Sequence, residues 1–206
     1  MKTIKRCYGK IFESHHTKTL LEKNHRFIRG KLLDLGCGRC KYKQLVLQNA
    51  DSYTGCDYYD HKNMDIKCSA DNTPFEDDSF DTIICFQVLE HVLDPQKVIE
   101  ESFRILKKGG YMLLSTPWMH PYHGEPDDYY RFSKDALSYL LKKSGYEILE
   151  IVTTGGRWRV IECFSRRWCK SKFLYKILSK IFLLFNYFSK TEKCLDTPGH
   201  FIIAKK

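Results

Sequence analysis

The sequence predicts one α/β domain built around a mainly parallel sheet, and three observations support this. Strand-like and helix-like stretches alternate along the 206 residues, which is typical of this fold class. The first predicted strand runs into a glycine loop, where open α/β sheets usually bind ligands. The composition, with 43% hydrophobic and 29% charged residues, supports a packed core and excludes a disordered or collagen-like chain.

The elements are predicted from local patterns, in chain order. Buried strands read as short β-branched runs such as TIICF, and one helix begins where Asp94 can cap Pro95. The predicted elements are an entry helix at 10–28, a strand at Lys31–Leu35, a helix at Gln44–Gln48, strands at Tyr53–Asp57 and Thr82–Phe86, a helix from Pro95 that Gly109-Gly110 stops, a strand at Tyr111–Ser115, a helix at Lys134–Lys143, and strands at Glu147–Val152 and His200–Ala204.

Apolar runs and cysteines indicate the compartment. No run of about 18 apolar residues appears, and the basic N-terminus lacks an apolar stretch, so neither a membrane-spanning helix nor a signal peptide is expected. The nine cysteines are odd in number and scattered, unlike a disulfide scaffold. We therefore expect a cytoplasmic protein in a reducing compartment, with peripheral contact to the inner face of the membrane as an extension of that prediction.

The net charge of +9 is concentrated in one late segment. Residues 1–156 are neutral overall, residues 157–193 carry +8, and the last thirteen residues add +1. A uniformly basic nucleic-acid-binding surface would distribute its charge differently. The basic character therefore belongs to a segment appended to an electrostatically ordinary body.

Residues 157–193 are predicted to form a basic amphipathic helical insertion. Its residues would separate into two helical faces: Lys172, Lys176 and Lys180 on one, and Phe173, Leu174, Ile177, Leu178 and Ile181 on the other. This composition fits an interfacial helix on an anionic membrane, with further attraction from Arg166, Arg167 and Lys170. A lid over the domain, a homodimer contact and a nucleic-acid contact remain alternatives.

The strongest local signal is the run LLDLGCG at 32–38, in which two glycines allow a close backbone approach to a ligand. Asp57 follows Gly38 by nineteen residues and ends the next strand, where a carboxylate can hold both ribose hydroxyls of a nucleoside. A dinucleotide fingerprint would need glycine in place of Lys41, and no P-loop lysine motif is present. A nucleoside cofactor is therefore predicted, with a tight turn that binds nothing as the alternative.

Cys37-x-x-Cys40 suggests a zinc or redox site, but no second pair stands at ligand spacing. Structural zinc normally takes four ligands. A small packing role is the more usual one for a cysteine in a glycine turn. No metal site is expected from this pair.

Several motifs in order resemble the class I S-adenosylmethionine-dependent methyltransferases, specifically the small type 11 methyltransferase domain of bacterial glycan and lipopolysaccharide gene clusters. They are LLDLGCG at 32–38, TGCD at 54–57, NTPFEDDSFD at 72–81, QVLEHVLDP at 87–95, ESFRILKKGGYMLLSTP at 101–117 and HGEPDDYYRFSKDALSYLLKKSGYEI at 123–148. The resemblance implies a Rossmann-like three-layer sandwich with a seven-stranded sheet and an antiparallel final strand. It also implies a domain at 30–156 and 194–206, after an N-terminal helical segment at 1–29.

The resemblance assigns S-adenosyl-L-methionine as the cofactor and gives each site position a role. Residues around the methionine part would be Asp34, Gly36, Cys37 and Gly38; Asp57 would hold the ribose, and Tyr58 would pack on the adenine. Phe86 and Gln87 would line the bottom of the site near the sulfonium. Ser69, followed by Ala70, stands where an aspartate usually meets the adenine amino group, so that contact would be weaker or come from Asp71.

Three histidines are candidate bases for methyl transfer to a hydroxyl: His123 first, then His91 and His120. Glu90 and His91 could also be purely structural. Over the acceptor pocket, Asp128 could orient the substrate or a histidine, Tyr129 and Tyr130 could stack on a ring, and Arg131 could bind a carboxylate or phosphate. Alternatively, Arg131 pairs with Asp127 or Glu125 and stiffens the loop.

These observations predict methyl transfer to a small-molecule, saccharide or lipid-linked acceptor in glycan or cell-envelope biosynthesis. A tRNA-modifying methyltransferase is the enzymatic alternative, since GCGRCKY at 36–42 resembles the loop of wobble-uridine methyltransferases. The neutral body argues against nucleic acid as a partner. A scaffold that keeps the fold without catalysis is the third possibility, because fold alone never proves activity.

Overall fold

The computed structural model describes residues 10–124, 127–188 and 196–206. Predictions that concern residues 1–9, Glu125 or the end of the insertion at 189–193 lie outside the described residues, as do the first two residues of the returning segment at 194–206.

The described elements follow the predicted order closely. The strands are β1 (Lys31–Leu35), β2 (Ser52–Asp57), β3 (Ile66–Lys67), β4 (Phe80–Phe86), β5 (Leu106–Pro117), β6 (Glu147–Thr153) and β7 (Gly199–Lys205). The helices are α1 (Lys10–Lys23), α2 (Lys43–Val46), α3 (Pro95–Ile105), α4 (Lys134–Lys143), α5 (Arg157–Trp168) and α6 (Lys172–Phe188), with short 3₁₀ turns at His25–Phe27 and Leu89–His91.

The seven strands form one sheet in the order β3-β2-β1-β4-β5-β7-β6. Each described pairing is parallel except those of β7, which runs antiparallel to both β5 and β6. The fold predicted from the resemblance is therefore confirmed. In such a sheet, the carboxyl ends of β1, β2 and β4 lie along one edge, which is where the site is built.

Alternation along the strands divides the core into two layers. Leu33 and Ile83 face the side covered by α3 and α4, whereas Leu32 and Ile84 face the side covered by α1 and α2. Each central strand is buried on both faces, as a parallel sheet between helices requires. The result is the predicted three-layer sandwich.

The end of α3 differs from the prediction. The helix stops at Ile105, and Leu106 already pairs with Phe80 as the start of β5. Gly109 and Gly110 lie within that strand, at an irregularity in its register, where Gly109 takes a φ of 77°. The glycines therefore shape a bulge instead of capping the helix, a known use of glycine within strands.

A disulfide joins Cys56 and Cys68, a pair that the number and spacing of the cysteines did not indicate. They are twelve residues apart in the chain. Pairing of β2 with β3 brings them together, because the Cys68 amide donates to the Asp57 carbonyl at 3.0 Å. The two-residue strand β3 was not predicted, and without it no sequence feature indicated the pair.

Helices α5 and α6 form a hairpin that is held together from inside. Glu162 is 2% exposed, and its carboxylate contacts Arg159 on its own helix. It also accepts hydrogen bonds from Tyr175 and Ser179 of α6, at 3.2 and 2.6 Å. At the other end Trp158 stacks on Phe185 with ring centroids 4.8 Å apart. Glu162, the one acidic residue in the described part of this segment, therefore lies buried between the two helices.

His200 in β7 yields a prediction about stability and pH. The ring is 2% exposed and neither nitrogen has a hydrogen-bond partner among the described residues. Burial disfavours the cation, with a smaller contribution from Lys134, and lowers the pKa of His200 from 6.5 to about 4. Between these values the unfolded chain binds a proton that the folded chain does not, so the free energy of unfolding falls as pH drops from 6.5 to 4.

We expect His200→Gln to remove this loss. The free energy of unfolding, measured with urea, should fall less in the variant than in the wild type between about pH 7.5 and pH 5. The two should differ in this fall by about 1 to 2 kcal/mol. His25→Gln, which removes an exposed histidine, is the control. A difference that stays constant with pH would contradict the assignment.

Candidate active site

The loop after β1 is shaped by two glycines that differ in their surroundings. The amides of Gly36 and Cys37 both donate to the Cys56 carbonyl, at 2.8 and 3.0 Å. Gly36 has a φ of 77°, and a Cβ there would lie 2.2 Å from a methyl group of Val88. Gly38 has a φ of 53°, and a Cβ there would meet nothing within 4 Å. Gly36 is therefore needed for packing, whereas Gly38 faces open space.

Asp57, at the end of β2, closes this loop from the neighbouring strand. One carboxylate oxygen accepts the Gly38 amide at 2.8 Å and the other accepts the Tyr59 amide at 3.0 Å. The His61 ring lies 3.8 Å from the second oxygen. A carboxylate has about four acceptor positions. Asp57, which is predicted to bind the ribose, can therefore still accept hydrogen bonds from two hydroxyls.

Cys40 stands where the resemblance would have a third glycine, and its backbone explains why. Its φ is 54°, in the left-handed region that favours glycine. The Cys40 thiol donates to the Asn63 carbonyl at 3.1 Å, and both Cys37 and Cys40 are buried. Both residues of the Cys-x-x-Cys pair thus have local packing roles in the loop.

Asp34 lies beneath the loop and is 2% exposed. The Tyr53 hydroxyl donates to its carboxylate at 2.8 Å. Burial raises the pKa of Asp34 to about 7, and the hydrogen bond from Tyr53 offsets part of that rise. Burial also raises the pKa of the neighbouring Cys37 thiol. Asp34 and Tyr53 therefore form a buried support for the glycine loop, a pairing that the sequence analysis did not identify.

The predicted adenine side is an open cleft beside β3. Its volume is about 370 Å³, and its lining includes Tyr58, Tyr59 and Ser69. Tyr58 is 63% exposed, with its ring available to a flat ligand. The Ser69 hydroxyl contacts Asp71, and Ala70 packs at the edge of the core. The structure therefore brings both proposed adenine-contacting residues into one cleft.

Phe86 and Gln87 end β4 and occupy different environments. Phe86 is buried and packs edge-on against Tyr42, with centroids 5.3 Å apart. Gln87 takes an unusual φ of 57° for a residue with a side chain. Its side-chain nitrogen donates to Ser115 at 3.2 Å, while its buried oxygen has no partner among the described residues. An orphaned acceptor on a strained backbone is typical of a site that awaits a ligand.

Glu90, His91 and His123 form a cluster just beyond Gln87. Glu90 is fully buried, and the Nε2 atoms of His91 and His123 lie 3.7 and 3.6 Å from its Oε1. The two rings are edge-to-face, with centroids 5.1 Å apart. His120 adds a third ring 5.2 Å from His123. Two of the three histidines predicted as candidate bases, His91 and His123, thus face one buried carboxylate, and His120 packs against His123.

Arg131 and Asp128 brace the loop that carries His123. All five N–H groups of Arg131 have acceptors: the Asp128 carboxylate and the carbonyls of His120, Pro121 and Tyr130. Burial would raise the pKa of Asp128, but hydrogen bonds from Arg131 and the His123 amide outweigh it and lower the pKa to about 2. Arg131 therefore pairs with Asp128, not with Asp127, and stiffens this loop.

Tyr129 and Tyr130 remain at the surface of the same loop. They are 46% and 38% exposed. The Tyr129 amide donates to the Glu90 carbonyl at 2.7 Å, and the Tyr130 hydroxyl donates to the Leu93 carbonyl at 2.8 Å. Both rings are thus anchored close to the histidine cluster, where a ligand ring could reach them.

The geometry fits S-adenosylmethionine on three counts. Open space lies in front of Gly38, and the Asp57 carboxylate lies beside it, at the end of the neighbouring strand. The exposed Tyr58 ring lines a cleft with a volume of about 370 Å³. The roles of the individual residues towards the cofactor remain predictions.

Comparisons with known proteins agree with this geometry. A family model described as a methyltransferase domain matches residues 12–151. A probable S-adenosylmethionine-dependent methyltransferase of Mycolicibacterium smegmatis is 28% identical over an alignment that covers 60% of this chain and 54% of that protein. A ubiquinone biosynthesis O-methyltransferase of Pseudomonas aeruginosa is 31% identical over an alignment that covers 42% of this chain and 44% of that protein. The chain spans about half the length of the curated relatives it matches.

Solved structures show the same fold at low identity. A SAM-dependent methyltransferase from Archaeoglobus fulgidus superposes with a TM-score of 0.66 and 17% identity, over 97% of this chain and all of that one. The [4+2]-cyclase SpnF gives 0.62 and 19%, over 92% and 79%. A likeness to a cyclase shows that the fold by itself does not fix the reaction.

The family model covers well over half of the chain, and the mainly parallel seven-stranded sheet with its antiparallel final strand is the fold that the motifs predicted. The chain therefore belongs to the methyltransferase-domain family, in the class I S-adenosylmethionine-dependent group.

Proposed function

We propose that this chain transfers a methyl group from S-adenosylmethionine to a hydroxyl of a saccharide or lipid-linked acceptor in glycan or cell-envelope biosynthesis. The observation that carries the proposal is the contact between Asp57 and the Gly38 amide beside open space. Asp57 lies there at the carboxyl edge of the sheet and keeps acceptor capacity for the two hydroxyls of a ribose. The acceptor class rests on further observations given below.

On the cofactor side, the chain contributes position and exclusion of water. S-adenosylmethionine, when bound, supplies an electrophilic methyl group on a positively charged sulfur. Asp57 would hold the ribose, and Gly38 would let the backbone approach closely. The buried oxygen of Gln87 would accept a hydrogen bond from the ligand. Alignment of donor and acceptor accounts for most of the rate enhancement in such displacements.

On the acceptor side, a hydroxyl needs to lose its proton as its oxygen forms the new bond to carbon. His123 is the proposed proton acceptor, and the rings of His91 and His120 lie beside it. The relatives named as O-methyltransferases support an oxygen acceptor. Tyr129 and Tyr130, exposed on the same loop, would stack on a sugar or other ring.

The α5–α6 hairpin supports a lipid-linked acceptor at an anionic membrane. Large apolar side chains stand exposed along it, Trp168 by 77%, Phe173 by 76% and Phe188 by 72%. The cations Arg166, Arg167, Lys170, Lys176 and Lys180 accompany them, while Glu162 is buried inside the hairpin. Apolar residues framed by cations are the pattern of an interfacial helix. No helix in the described parts of the chain is long and apolar enough to cross a membrane.

Other functions remain alternatives to be tested. A tRNA-modifying enzyme would bind bulk tRNA with steep salt dependence, which filter binding would reveal. A lid or homodimer contact would also cover the apolar side of the hairpin, and vesicle binding separates it from the membrane proposal. A non-catalytic scaffold would bind neither the cofactor nor its product.

Asp57→Ala should abolish cofactor binding. In the wild type, S-adenosylmethionine or S-adenosylhomocysteine at about 100 times its dissociation constant should stabilise by about 2.7 kcal/mol, or about 5–10 °C in melting temperature. NAD should give no shift. The control is Asp51→Ala, which removes an exposed carboxylate just before β2, at the opposite end of that strand from Asp57. No shift with either sulfur nucleoside in the wild type would favour the scaffold.

Gly38→Ala should block the cofactor without unfolding the chain, because the new methyl group would enter the space in front of the loop. Gly109→Ala is a matched control, since Gly109 also has a positive φ and open space around its Cβ position. Both variants should lose about 1 kcal/mol of stability from backbone strain. Only Gly38→Ala should weaken S-adenosylhomocysteine binding in calorimetry, and equal binding by both variants would contradict this placement of the cofactor.

The wild type should co-sediment with phosphatidylglycerol vesicles and much less with phosphatidylcholine vesicles. Replacing Phe173 and Phe188 together by serine should reduce binding at least about tenfold, because both side chains would leave the interface. Tyr139→Ser, which removes a 65% exposed ring from α4, should bind like the wild type. Absence of binding to either vesicle would remove the membrane proposal and leave the lid or dimer.

A further inference from the structure

We propose that Glu90, His91 and His123 bind a divalent transition-metal ion of the zinc type, next to the acceptor side of the site. The spacing of Cys37 and Cys40 gave no reason to expect a metal, and this cluster is formed by other residues. The role given to the ion below rests on the proposed function, whereas the binding itself does not. The ligand set would be two imidazoles and one carboxylate, a combination that suits zinc and its neighbours.

The distances in the cluster favour a shared ion over a direct hydrogen bond. A charged imidazole that donates to a carboxylate closes to about 2.7–2.9 Å. Here both Nε2 atoms stay 3.6–3.7 Å from Glu90 Oε1, and neither Glu90 oxygen accepts a hydrogen bond from the described residues. Ligands at about 2.0–2.1 Å from a tetrahedral ion lie about 3.4 Å apart. The three donor atoms all lie within 4.8 Å of one another.

The other nitrogen of each ring is turned towards an oxygen acceptor. His91 Nδ1 contacts the Asp127 carbonyl, and since a carbonyl can only accept, Nδ1 carries the hydrogen there. His123 Nδ1 lies 3.4 Å from the Asp128 carboxylate, which also accepts the His123 amide at 2.8 Å. Metal-bound histidines typically donate their second nitrogen to such a group, which fixes the ring and its tautomer. Both rings thus point Nε2 towards Glu90.

The charge balance leaves Glu90 in need of a cation. Arg131 is neutralised by its two-oxygen contact with Asp128, and both belong to the loop brace. Glu90 is fully buried, and a buried carboxylate that no donor compensates is costly. A divalent ion held by His91 and His123 would supply the missing charge. Metal ligation is thus the arrangement in which each of these polar groups has a partner.

A bound ion would fulfil the chemical requirement of the proposed function. With three protein ligands, one position stays open to the acceptor oxygen. Coordination would lower the pKa of a bound hydroxyl, so that its proton could pass to solvent water. The oxygen lone pair would then form the bond to the methyl carbon as the methyl–sulfur bond breaks and S-adenosylhomocysteine leaves as a neutral thioether. His91 and His123 then act as ligands, no longer as bases. Val88 packs on Gly36 two residues before Glu90, which ties the cluster to the cofactor loop.

Calorimetry on the full chain, after removal of metal by a chelator, would test the site with Zn²⁺ alone. We expect one ion per chain, with affinity at least about tenfold weaker in Glu90→Gln, His91→Gln and His123→Gln. His25→Gln, with its ring exposed far along the chain, should bind like the wild type. Zn²⁺ should also raise the melting temperature of the wild type but not of the three cluster variants, whose folding circular dichroism would verify.

Co²⁺ separates this site from the free cysteines. We expect visible d–d bands without thiolate charge-transfer absorption, and their loss in His123→Gln. Thiolate absorption, or equal Zn²⁺ binding by wild type and the three cluster variants, would overturn the proposal. Since the S-adenosylhomocysteine shift is measured separately, a chain that binds the nucleoside but no metal would refute this inference alone. A chain that binds Zn²⁺ through the cluster but no nucleoside would refute only the proposed function.

Discussion

The close approach of Val88 to Gly36 is the constraint on which the site depends. No side chain fits at Gly36, because its Cβ would lie 2.2 Å from a Val88 methyl group. The loop after β1 and the segment after β4 are therefore locked together at the edge of the sheet. Gln87 lies on one side of this contact, and Glu90 and His91 follow on the other. Because Gly36 has no side chain, the loop after β1 can pack closely against Val88, and this contact holds the loop near the histidine cluster.

Two buried acids near this contact are accommodated in different ways. Asp34 accepts the Tyr53 hydroxyl, and burial raises its pKa to about 7, so it can become neutral without a cation. Glu90 has two imidazoles nearby but no hydrogen-bond donor among the described residues. Both carboxyl groups are removed from water by burial, but they differ in the groups that lie next to them. The contrast distinguishes a carboxyl that supports a loop from one placed to meet a positive charge.

Sequence patterns predicted those features whose cause is local. Ser133 caps α4 and the basic residues Lys142 and Lys143 end it, so its bounds were predicted as observed. Gly109 was misassigned as a helix stop, because the bulge that needs it arises from pairing with β4. The Cys56–Cys68 disulfide depends on the pairing of β2 with β3. The contact between His91 and His123 depends on residues far apart in the chain. Sequence reasoning identified each histidine, but only the fold places them on Glu90.

The position of the hairpin brings its surface next to the loop that carries His123. Arg167 near the end of α5 donates to the Tyr122 carbonyl at 3.3 Å, and His123 is the next residue along the chain. Trp168, 77% exposed, follows Arg167. The exposed apolar and basic residues of the hairpin therefore begin beside the loop that carries His123. If the hairpin rests on an anionic surface, the head group of a lipid-linked acceptor would arrive next to Tyr129, Tyr130 and the cluster, with its chain still in the lipid. Two features that look separate in sequence, a basic apolar insertion and a histidine-rich loop, would then serve one substrate.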